Sequence, residues 1–248
     1  MYNPFSMAGK TVFVTGASSG IGRATAIECS KMGAACVITA RNTERLQQTF
    51  GSLEGDGHQL LTADLTEQPD IESLVAKLPP LDGAVLCAGI GMTVPVQFAS
   101  REKFDKVFNT NFFSQAELIR LLYKKKVLRS GSSVVFIASI GGITSFNYGN
   151  GIYGASKAAL NSYMKYCAYE FAARKIRVNS ICPGMVDTPL IVRSAITEEQ
   201  NKQYISKYPL KRLGTPQEIA YGAIYLLSNA SAWITGTSLF IEGGGDSH

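Results

Sequence analysis

The sequence predicts an α/β fold with a single, doubly wound parallel sheet of about seven strands and helices on both faces. Short apolar runs rich in β-branched residues alternate with longer amphipathic segments, which is the pattern of repeated strand–helix–strand units. The strand segments are apolar throughout, as expected for a parallel sheet covered on both faces. A chain of 248 residues with 46% hydrophobic and 17% charged residues can bury one large core.

The predicted elements follow one another along residues 1–248 as one domain. Strands are predicted at 11–15, 36–39, 58–63, 83–87, 133–137, 177–181 and 238–241. Helices are predicted at 21–31, 43–50, 69–77, 101–128, 153–174 and 217–228. The irregular stretch at about 184–215 predicts a lid over a substrate site, because functional loops are often held over a site by a rigid scaffold.

Charge and cysteine content narrow the class of protein. The 24 basic and 19 acidic residues are scattered and give a formal net charge of +5, with residues 124–126 as a lysine cluster. Such scatter indicates a solvated surface rather than a nucleic-acid interface. The five cysteines form no CxxC pair, and neither a signal peptide nor a membrane span is apparent, so we expect reduced thiols in a cytoplasmic protein.

Histidine is too scarce for several common kinds of site. The chain has two histidines, His58 in a Gly-Asp-Gly-His segment and His248 at the carboxyl terminus. A Ser-His-Asp triad or a histidine-based metal site therefore has almost no residues to draw on, and we predict no metal ligands. Proton transfer must use other groups.

A glycine-rich turn, Thr-Gly-Ala-Ser-Ser-Gly-Ile-Gly at residues 15–22, follows the first predicted strand and leads into the first helix. Gly16 permits a tight turn, Gly20 lets backbone amides approach a pyrophosphate, and Gly22 allows close packing of the helix. The positive end of the helix dipole favours the same anion. A purely structural loop is the alternative, but the first strand–helix turn of a doubly wound sheet adjoins its ligand crevice.

Arg41 ends the second strand, where an enzyme that prefers NAD would usually place a carboxylate for the ribose 2′-hydroxyl. A guanidinium can instead pair with a 2′-phosphate, which favours NADP(H) over NAD(H). The alternative is a surface arginine without a role in binding.

Tyr153 and Lys157 lie on one face at the start of a predicted helix, because four residues separate them. A nearby ammonium favours the phenolate and lowers the pKa of a tyrosine, so the pair can act as a proton shuttle. This spacing alone is common by chance. Ser139 ends the fifth strand, and the loop 140–152 can bring its hydroxyl over the tyrosine as a second donor to a substrate oxygen.

These motifs, in this order and over nearly the whole chain, resemble those of the short-chain dehydrogenase/reductase family. The shared features are the glycine-rich turn, Asp64 and Leu65, Ala88 and Gly89, Asn111, Ser139, Tyr153 with Lys157, and Pro183 and Gly184 with Thr188. The resemblance implies a Rossmann fold and hydride transfer between a nicotinamide cofactor and a ketone or secondary alcohol.

The family pattern implies roles for the matching residues. Tyr153 would be the acid in reduction and the base in oxidation, with Lys157 lowering its pKa and holding the nicotinamide ribose. Ser139 would orient the carbonyl, and Asn111 would anchor a water chain that relays the proton. The implied cofactor site consists of Gly16, Ser18, Ser19, Gly20, Ile21, Gly22, Arg41, Asn42, Asp64, Leu65, Cys87, Ala88, Gly89, Tyr153, Lys157, Pro183, Gly184, Val186 and Thr188.

Two positions depart from the family pattern. Cys87 stands where the family usually has the asparagine of an Asn-Ala-Gly motif, and a thiol cannot make the hydrogen bonds of that amide. Ser19 stands where some NADP-preferring members have a second basic residue. We expect the fold to tolerate Cys87, and cofactor preference to depend mainly on Arg41.

The residues expected around the substrate are mostly apolar, which favours a lipophilic or acyl substrate without choosing among a 3-oxoacyl thioester, a steroid, a sugar or another carbonyl compound. They are Ile90, Met92, Ile140, Thr144, Phe146, Tyr148, Met185, Val186 and Ile191. Basic residues at 124–126, 129 and 174–175 lie roughly where relatives that reduce 3-oxoacyl groups dock an acyl carrier protein. Ordinary helix-end cations are the alternative explanation.

The resemblance also implies a homotetramer that assembles through the two long helices and the last strand. A dinucleotide-sensing regulator without catalytic activity is the main alternative function, because a fold alone does not certify chemistry. The presence of Ser139, Tyr153 and Lys157 argues against it. A scaffolding protein is a weaker alternative, since it leaves the glycine-rich turn and Arg41 unexplained.

Overall fold

The computed structural model describes residues 2–190, 205–206 and 208–245. Within them, one parallel sheet contains β1 (Thr11–Thr15), β2 (Ala35–Ala40), β3 (Gln59–Thr62), β4 (Leu81–Leu86), β5 (Leu128–Ile137), β6 (Arg177–Pro183) and β7 (Ser238–Ile241). The spatial order is β3-β2-β1-β4-β5-β6-β7. The predicted doubly wound parallel sheet is confirmed.

The helices of the described part are α1 (Gly20–Lys31), α2 (Thr43–Phe50), α3 (Gln68–Lys77), α4 (Arg101–Phe108), α5 (Ser114–Lys124), α6 (Gly151–Phe171) and α7 (Pro216–Leu227). A π-helical turn, Asn109–Phe113, joins α4 to α5. None of these helices is both long and apolar enough to cross a membrane.

The strand order reverses between β1 and β4. From β1 the chain winds outward through β2 and β3, then returns to β4 and winds the other way to β7. Such a reversal leaves a crevice outside the carboxyl ends of the two central strands, where open α/β sheets bind their ligands.

Apolar side chains fill a core on each face of the sheet. Neighbouring strand residues point to opposite faces, so Phe13 enters one core and Val12 the other. Leu74, Leu118 and Leu160 bring α3, α5 and α6 to the first core. Ala26, Leu46 and Ala223 bring α1, α2 and α7 to the second.

The single helix predicted at 101–128 is wrong in two respects: a π-helical turn divides it, and it ends early. Lys126 has φ 57°, and the amides of Lys126 and Val127 donate to the carbonyl oxygens of Tyr123 (3.1 Å) and Leu122 (3.0 Å). This Schellman motif ends α5. Glycine is usual at its left-handed position, so a lysine there gave no indication of the helix end, and β5 begins earlier than predicted.

Most other predicted elements agree closely with the structure, although β3 is shorter than the predicted strand. The lid predicted at 184–215 lies partly outside the described residues, which include only 184–190, 205–206 and 208–215 of it. The lid therefore stays a prediction.

Candidate active site

The glycine-rich turn lies at the carboxyl end of β1 and opens α1. Gly16 has φ 66° and Gly20 has φ 53°, conformations that glycine adopts without strain. A Cβ atom on Gly22 would collide with the carbonyl oxygen of Gly16. The side chain of Ser19, the N-cap residue, makes no capping hydrogen bond. The turn thus presents the amino end of α1 to the crevice, as a pyrophosphate site requires.

Thr15 joins the turn to the neighbouring strand. Its buried hydroxyl accepts hydrogen bonds from the amides of Cys87 (2.9 Å) and Ala88 (3.1 Å) after β4. The Ala88 carbonyl accepts a 2.5 Å hydrogen bond from Gln115 Nε2 of α5. These contacts hold the floor of the crevice together. Sequence reasoning missed Gln115 and treated Thr15 only as part of the turn, because neither residue shows its partners in the sequence.

Cys87 lies between the turn and Lys157. Its sulfur accepts a hydrogen bond from the Gly22 amide in the first turn of α1. Burial raises the pKa of the thiol to about 11, although the Lys157 charge acts in the opposite direction. The thiol is therefore neutral near pH 7. In place of the asparagine of the family pattern, this chain has a sulfur atom that satisfies a helix amide.

Ser139 and Tyr153 come from different elements and share a side-chain hydrogen bond. Ser139 follows β5, and Tyr153 lies in the first turn of α6. Ser139 Oγ also accepts a 3.0 Å hydrogen bond from the Gly141 amide, which fixes the hydroxyl. Burial raises the pKa of Tyr153, and the hydrogen bond with Ser139 opposes the rise. The phenol is therefore protonated near pH 7.

Lys157 lies one turn further along α6 and is only 3% exposed. Nζ donates a 2.7 Å hydrogen bond to the Ile137 carbonyl and lies 6.0 Å from the centroid of the Tyr153 ring. Burial lowers the pKa of the ammonium to about 8, and Cys87 and Cys182 act against that decrease. The sequence predicted that Lys157 lowers the Tyr153 pKa. The Tyr153 pKa is raised overall, because burial of the phenol is the largest influence on it, and the effect of Lys157 stays a prediction.

Asn111 lies in the π-helical turn and is fully buried. Its Oδ1 accepts from the Ile90 amide (2.8 Å), and Nδ2 donates to the Ile90 carbonyl (3.0 Å) and to Ser156 Oγ (3.0 Å). Ser156 Oγ in turn donates to the Tyr153 carbonyl (2.7 Å). Asn111 thus connects the segment after β4 to the start of α6. Its part in a water chain stays a prediction.

Gly89 leaves room at the centre of the site. A Cβ atom there would lie 3.2 Å from Asn111 Oδ1 and 3.4 Å from Lys157 Nζ. A side chain at this position would therefore fill the space in front of both groups. The close approach fits a position where a cofactor ring must lie against the backbone.

Arg41 lies at the other end of the crevice. Nη1 is 3.5 Å from Asp64 Oδ2, and the two side chains are 59% and 33% exposed. Asp64 Oδ1 accepts hydrogen bonds from the amide (2.9 Å) and hydroxyl (2.7 Å) of Thr66. Burial raises the pKa of Asp64, but the Thr66 hydrogen bonds and the Arg41 charge outweigh it, so this pKa is below its ordinary value. A 2′-phosphate would meet a guanidinium already paired with a carboxylate.

Two further predicted cofactor residues at this end have roles in the fold. Asn42 Oδ1 caps α2 by accepting a 2.8 Å hydrogen bond from the Arg45 amide. Leu65 is buried in the core. Their contacts with a cofactor stay predictions.

The segment after β6 covers the glycine-rich turn. A Cβ atom on Gly20 would lie 3.3 Å from Thr188 Cγ2, so Thr188 packs over the start of α1. A Cβ atom on Gly184 would lie 2.8 Å from Glu242 Cβ. Val186 is buried. Pro183 ends β6, and Ser18 and Ile21 belong to the glycine-rich turn. The contacts of these residues with a cofactor stay predictions.

A cavity of about 560 Å³ adjoins the start of α6 and is lined by residues 95–97, 142, 145–151, 154 and 155. A Cβ atom on Gly141, next to this loop, would lie 3.3 Å from Ser139 Oγ and 3.8 Å from Tyr153 Cε1. Neither Ser139 nor Tyr153 is among the residues that line the cavity. Of the predicted substrate residues, Phe146 and Tyr148 line it. Ile191 lies outside the described residues, and the others do not line this cavity.

All five cysteines are free thiols. Among the described residues, no group of three or more His, Cys, Asp or Glu side chains is arranged to hold a metal ion.

Comparison with known proteins extends to nearly the whole chain. The family model described as enoyl-(acyl carrier protein) reductase, a short-chain dehydrogenase/reductase model, matches residues 16–246. The chain is 34% identical over 238 residues to a 3-oxoacyl-(acyl-carrier-protein) reductase of Rickettsia prowazekii, covering 96% of this chain and 97% of the relative.

Solved structures show the same similarity. A dehydrogenase/reductase from Sinorhizobium meliloti has a TM-score of 0.90 at 32% identity, covering 98% of this chain and 97% of that one. A candidate NAD(P)-dependent gluconate 5-dehydrogenase from Beutenbergia cavernae, with bound NADP, has a TM-score of 0.89 at 28% identity, covering 99% and 100%. Because the match runs from the glycine-rich turn to the last strand, this chain belongs to the short-chain dehydrogenase/reductase family, oxidoreductases that act on CH–OH groups with NAD(P).

Proposed function

We propose that this enzyme uses NADP(H) to interconvert a ketone and a secondary alcohol by hydride transfer, with a lipophilic or acyl carbonyl compound as its substrate. The observation that carries the proposal is the convergence of Ser139, Tyr153 and Lys157 beside the glycine-rich turn. A phenol and an ammonium with shifted pKa values, next to a serine hydroxyl at a nucleotide crevice, are typical of a catalytic site.

In the proposed reduction, bound NADPH supplies the hydride. The Gly141 amide holds Ser139 Oγ in place, and in the proposed reaction the serine hydroxyl turns from Tyr153 to the carbonyl oxygen. Tyr153 delivers its phenolic proton to that oxygen as negative charge develops there. Lys157 stabilises the phenolate that remains. In oxidation the phenolate takes the proton back.

Arg41 supports NADP(H) as the preferred cofactor. Its guanidinium can make charge-assisted hydrogen bonds to a 2′-phosphate, which NAD lacks. The Asp64 carboxylate, 3.5 Å away, competes for the same guanidinium. We therefore propose a preference for NADP(H) that is clear but not absolute.

A 3-oxoacyl thioester is the first substrate to test, because a relative 34% identical to this chain is named for that reaction. A steroid or another small carbonyl compound is the alternative. The mostly apolar character of the residues predicted around the substrate supports a lipophilic substrate. Substrate identity can be determined by comparing kcat/KM across a panel of these compounds.

An acyl carrier protein would dock on lysines rather than on the arginines of the basic cluster. Arg174 donates to the carbonyls of Tyr123 (3.4 Å) and Leu128 (2.7 Å), and Arg129 pairs with Asp82 at 2.8 Å. Both guanidinium groups are therefore already bound by groups of this chain. Lys125→Glu should raise KM for an acyl-carrier thioester but not for a short thioester without the carrier. Equal changes in KM for the two substrates would contradict the docking proposal.

A homotetramer and a cytoplasmic location belong to the same proposal. Tyr166 and Tyr169 of α6 are 66% and 87% exposed, and Phe113 beside α5 is 56% exposed. Apolar surface of this kind on the two helices supports assembly through them. Light scattering during size-exclusion chromatography measures the assembly.

Separate titrations with NADPH and NADH test the cofactor proposal. A ligand that binds the native state raises its thermal midpoint, so NADPH should raise the midpoint at lower concentration than NADH. Binding of neither would overturn the proposal. Binding without turnover of any carbonyl compound would instead support the dinucleotide-sensing alternative.

A further inference from the structure

Asn161 joins helix α6 to two strands of the sheet. It lies one turn after Lys157 and is 8% exposed. Oδ1 accepts hydrogen bonds from Ser180 Oγ of β6 (2.6 Å) and from Ser238 Oγ of β7 (2.9 Å). One amide oxygen therefore receives hydroxyl donors from two neighbouring strands.

The same cluster reaches Ser139 through Cys182. Cys182 Sγ lies 3.8 Å from Asn161 Oδ1, within hydrogen-bonding distance for sulfur. The backbone amides on either side of Ser139 donate to the carbonyls on either side of Cys182, at 2.8 and 3.1 Å, so these two residues lie side by side. Cys182 can donate weakly to Asn161 and thus connects it to the segment that carries the proposed carbonyl-orienting serine.

We propose that Asn161 is a positioning residue, which sets the distance between Ser139 and the face of α6 that carries Tyr153 and Lys157. This inference rests on the proposed oxidoreductase function. The three helix residues recur at every fourth position and therefore lie along one face. Hydrogen bonds depend steeply on distance and angle, so they locate a helix more sharply than apolar contacts do.

The need to satisfy a buried amide does not by itself explain this cluster. An apolar residue at 161 would need no partner, and buried serines can be satisfied locally. Ser133, for example, donates to the Leu226 carbonyl at 2.7 Å. Ser180 and Ser238 instead converge on one oxygen of the helix that carries the proposed catalytic groups.

Three variants distinguish an effect on the position of α6 from an effect on the stability of the protein. Asn161→Leu keeps a similar volume and removes the acceptor, while Ser238→Ala removes one donor and serves if the leucine variant fails to fold. Ser133→Ala is the matched control. We expect kcat to fall about tenfold in Asn161→Leu and about threefold in Ser238→Ala, since misplacement by ~1 Å can cost ~10²-fold. KM and the NADPH Kd should stay unchanged, and Ser133→Ala should keep wild-type kcat.

Rescue at Cys182 provides a second test. Cys182→Val removes the donor to Asn161 beside Ser139 and should lower kcat, whereas Cys182→Ser keeps a donor there and should retain most of the activity. Wild-type kcat in Asn161→Leu, Ser238→Ala and Cys182→Val, each with a lowered thermal midpoint, would overturn the positioning role.

Hydrogen–deuterium exchange of residues 151–160 gives a readout that does not need turnover. Exchange should be faster in Asn161→Leu and Ser238→Ala than in Ser133→Ala at equal stability, and equal exchange would contradict the inference. If the wild-type enzyme reduced no carbonyl compound, the proposed function would fail, while this comparison would still decide whether Asn161 positions α6.

Discussion

The two ends of the cofactor crevice differ in burial, and this difference affects how strongly the charges at each end act. Near α6, Lys157 is 3% exposed, and burial shifts its pKa to about 8. At the other end, Arg41 is 59% exposed and its pairing with Asp64 is open to solvent. Charges interact strongly in a buried site and weakly where water and salt screen them. We therefore expect large effects on catalysis at the first end and modest effects on cofactor preference at the second.

The largest effect is expected for Tyr153→Phe, which removes the proton donor from the buried end. Ketone reduction, followed by NADPH oxidation, should slow by ~10²–10⁴-fold, the usual contribution of a general acid. NADPH binding should be retained, because the rest of the crevice is unchanged. Tyr163→Phe on the same helix is the control and should keep activity. Wild-type turnover in Tyr153→Phe would show that another group donates the proton.

The pH dependence of the reaction tests the buried lysine. The ammonium of Lys157 predominates below its pKa of about 8 and is lost above it, while the raised pKa of Tyr153 keeps the phenol protonated. Reduction uses both protonated groups, so its kcat/KM should fall as pH rises through about 8. Oxidation uses the phenolate, so it should become faster only as the pH approaches the raised pKa of Tyr153. A reduction rate that stayed constant well above pH 8 would contradict this assignment.

At the exposed end, Arg41→Ala should weaken NADPH binding about tenfold, which corresponds to ~1.4 kcal/mol, and should leave NADH binding nearly unchanged. Asp64→Asn should strengthen NADPH binding, and by a smaller factor, because exposed ion pairs contribute ~0–1 kcal/mol. Titrations with NADPH at low and high salt measure the affinity of both variants. The loss of affinity in Arg41→Ala should be smaller at high salt. Arg45→Ala is the control. An equal loss for both cofactors in Arg41→Ala would remove its role in preference.

The smallest effect is expected at Cys87, which lies between the two ends. Cys87→Ala removes the acceptor of the Gly22 amide and should lower the free energy of unfolding by about 1 kcal/mol, with a few-fold weaker NADPH binding. Cys87→Asn restores the residue of the family pattern and should bind NADPH at least as well as the wild type. Chemical denaturation and fluorescence titration measure the two effects. Unchanged values in Cys87→Ala would mean that the sulfur does not support the turn.

Much of the fold could be predicted because its determinants are local. The apolar runs specified the strands, and the glycines at 16, 20 and 22 specified the turn through their own backbone freedom and small size. The relative placement of Tyr153 and Lys157 also followed from helix periodicity alone. The end of α5 could not be predicted, because Lys126 occupies a left-handed position that its residue type does not favour.

What the sequence by itself determined is the fold class, the glycine-rich turn and the identity of the groups that can exchange protons. Tertiary structure alone decided how those groups meet. The Ser139–Tyr153 hydrogen bond, the Arg41–Asp64 pair and the contacts of Asn161 with Ser180 and Ser238 join residues far apart in the chain. The raised pKa of Tyr153 likewise comes from burial, which depends on everything packed around the phenol and is not a property of any local pattern.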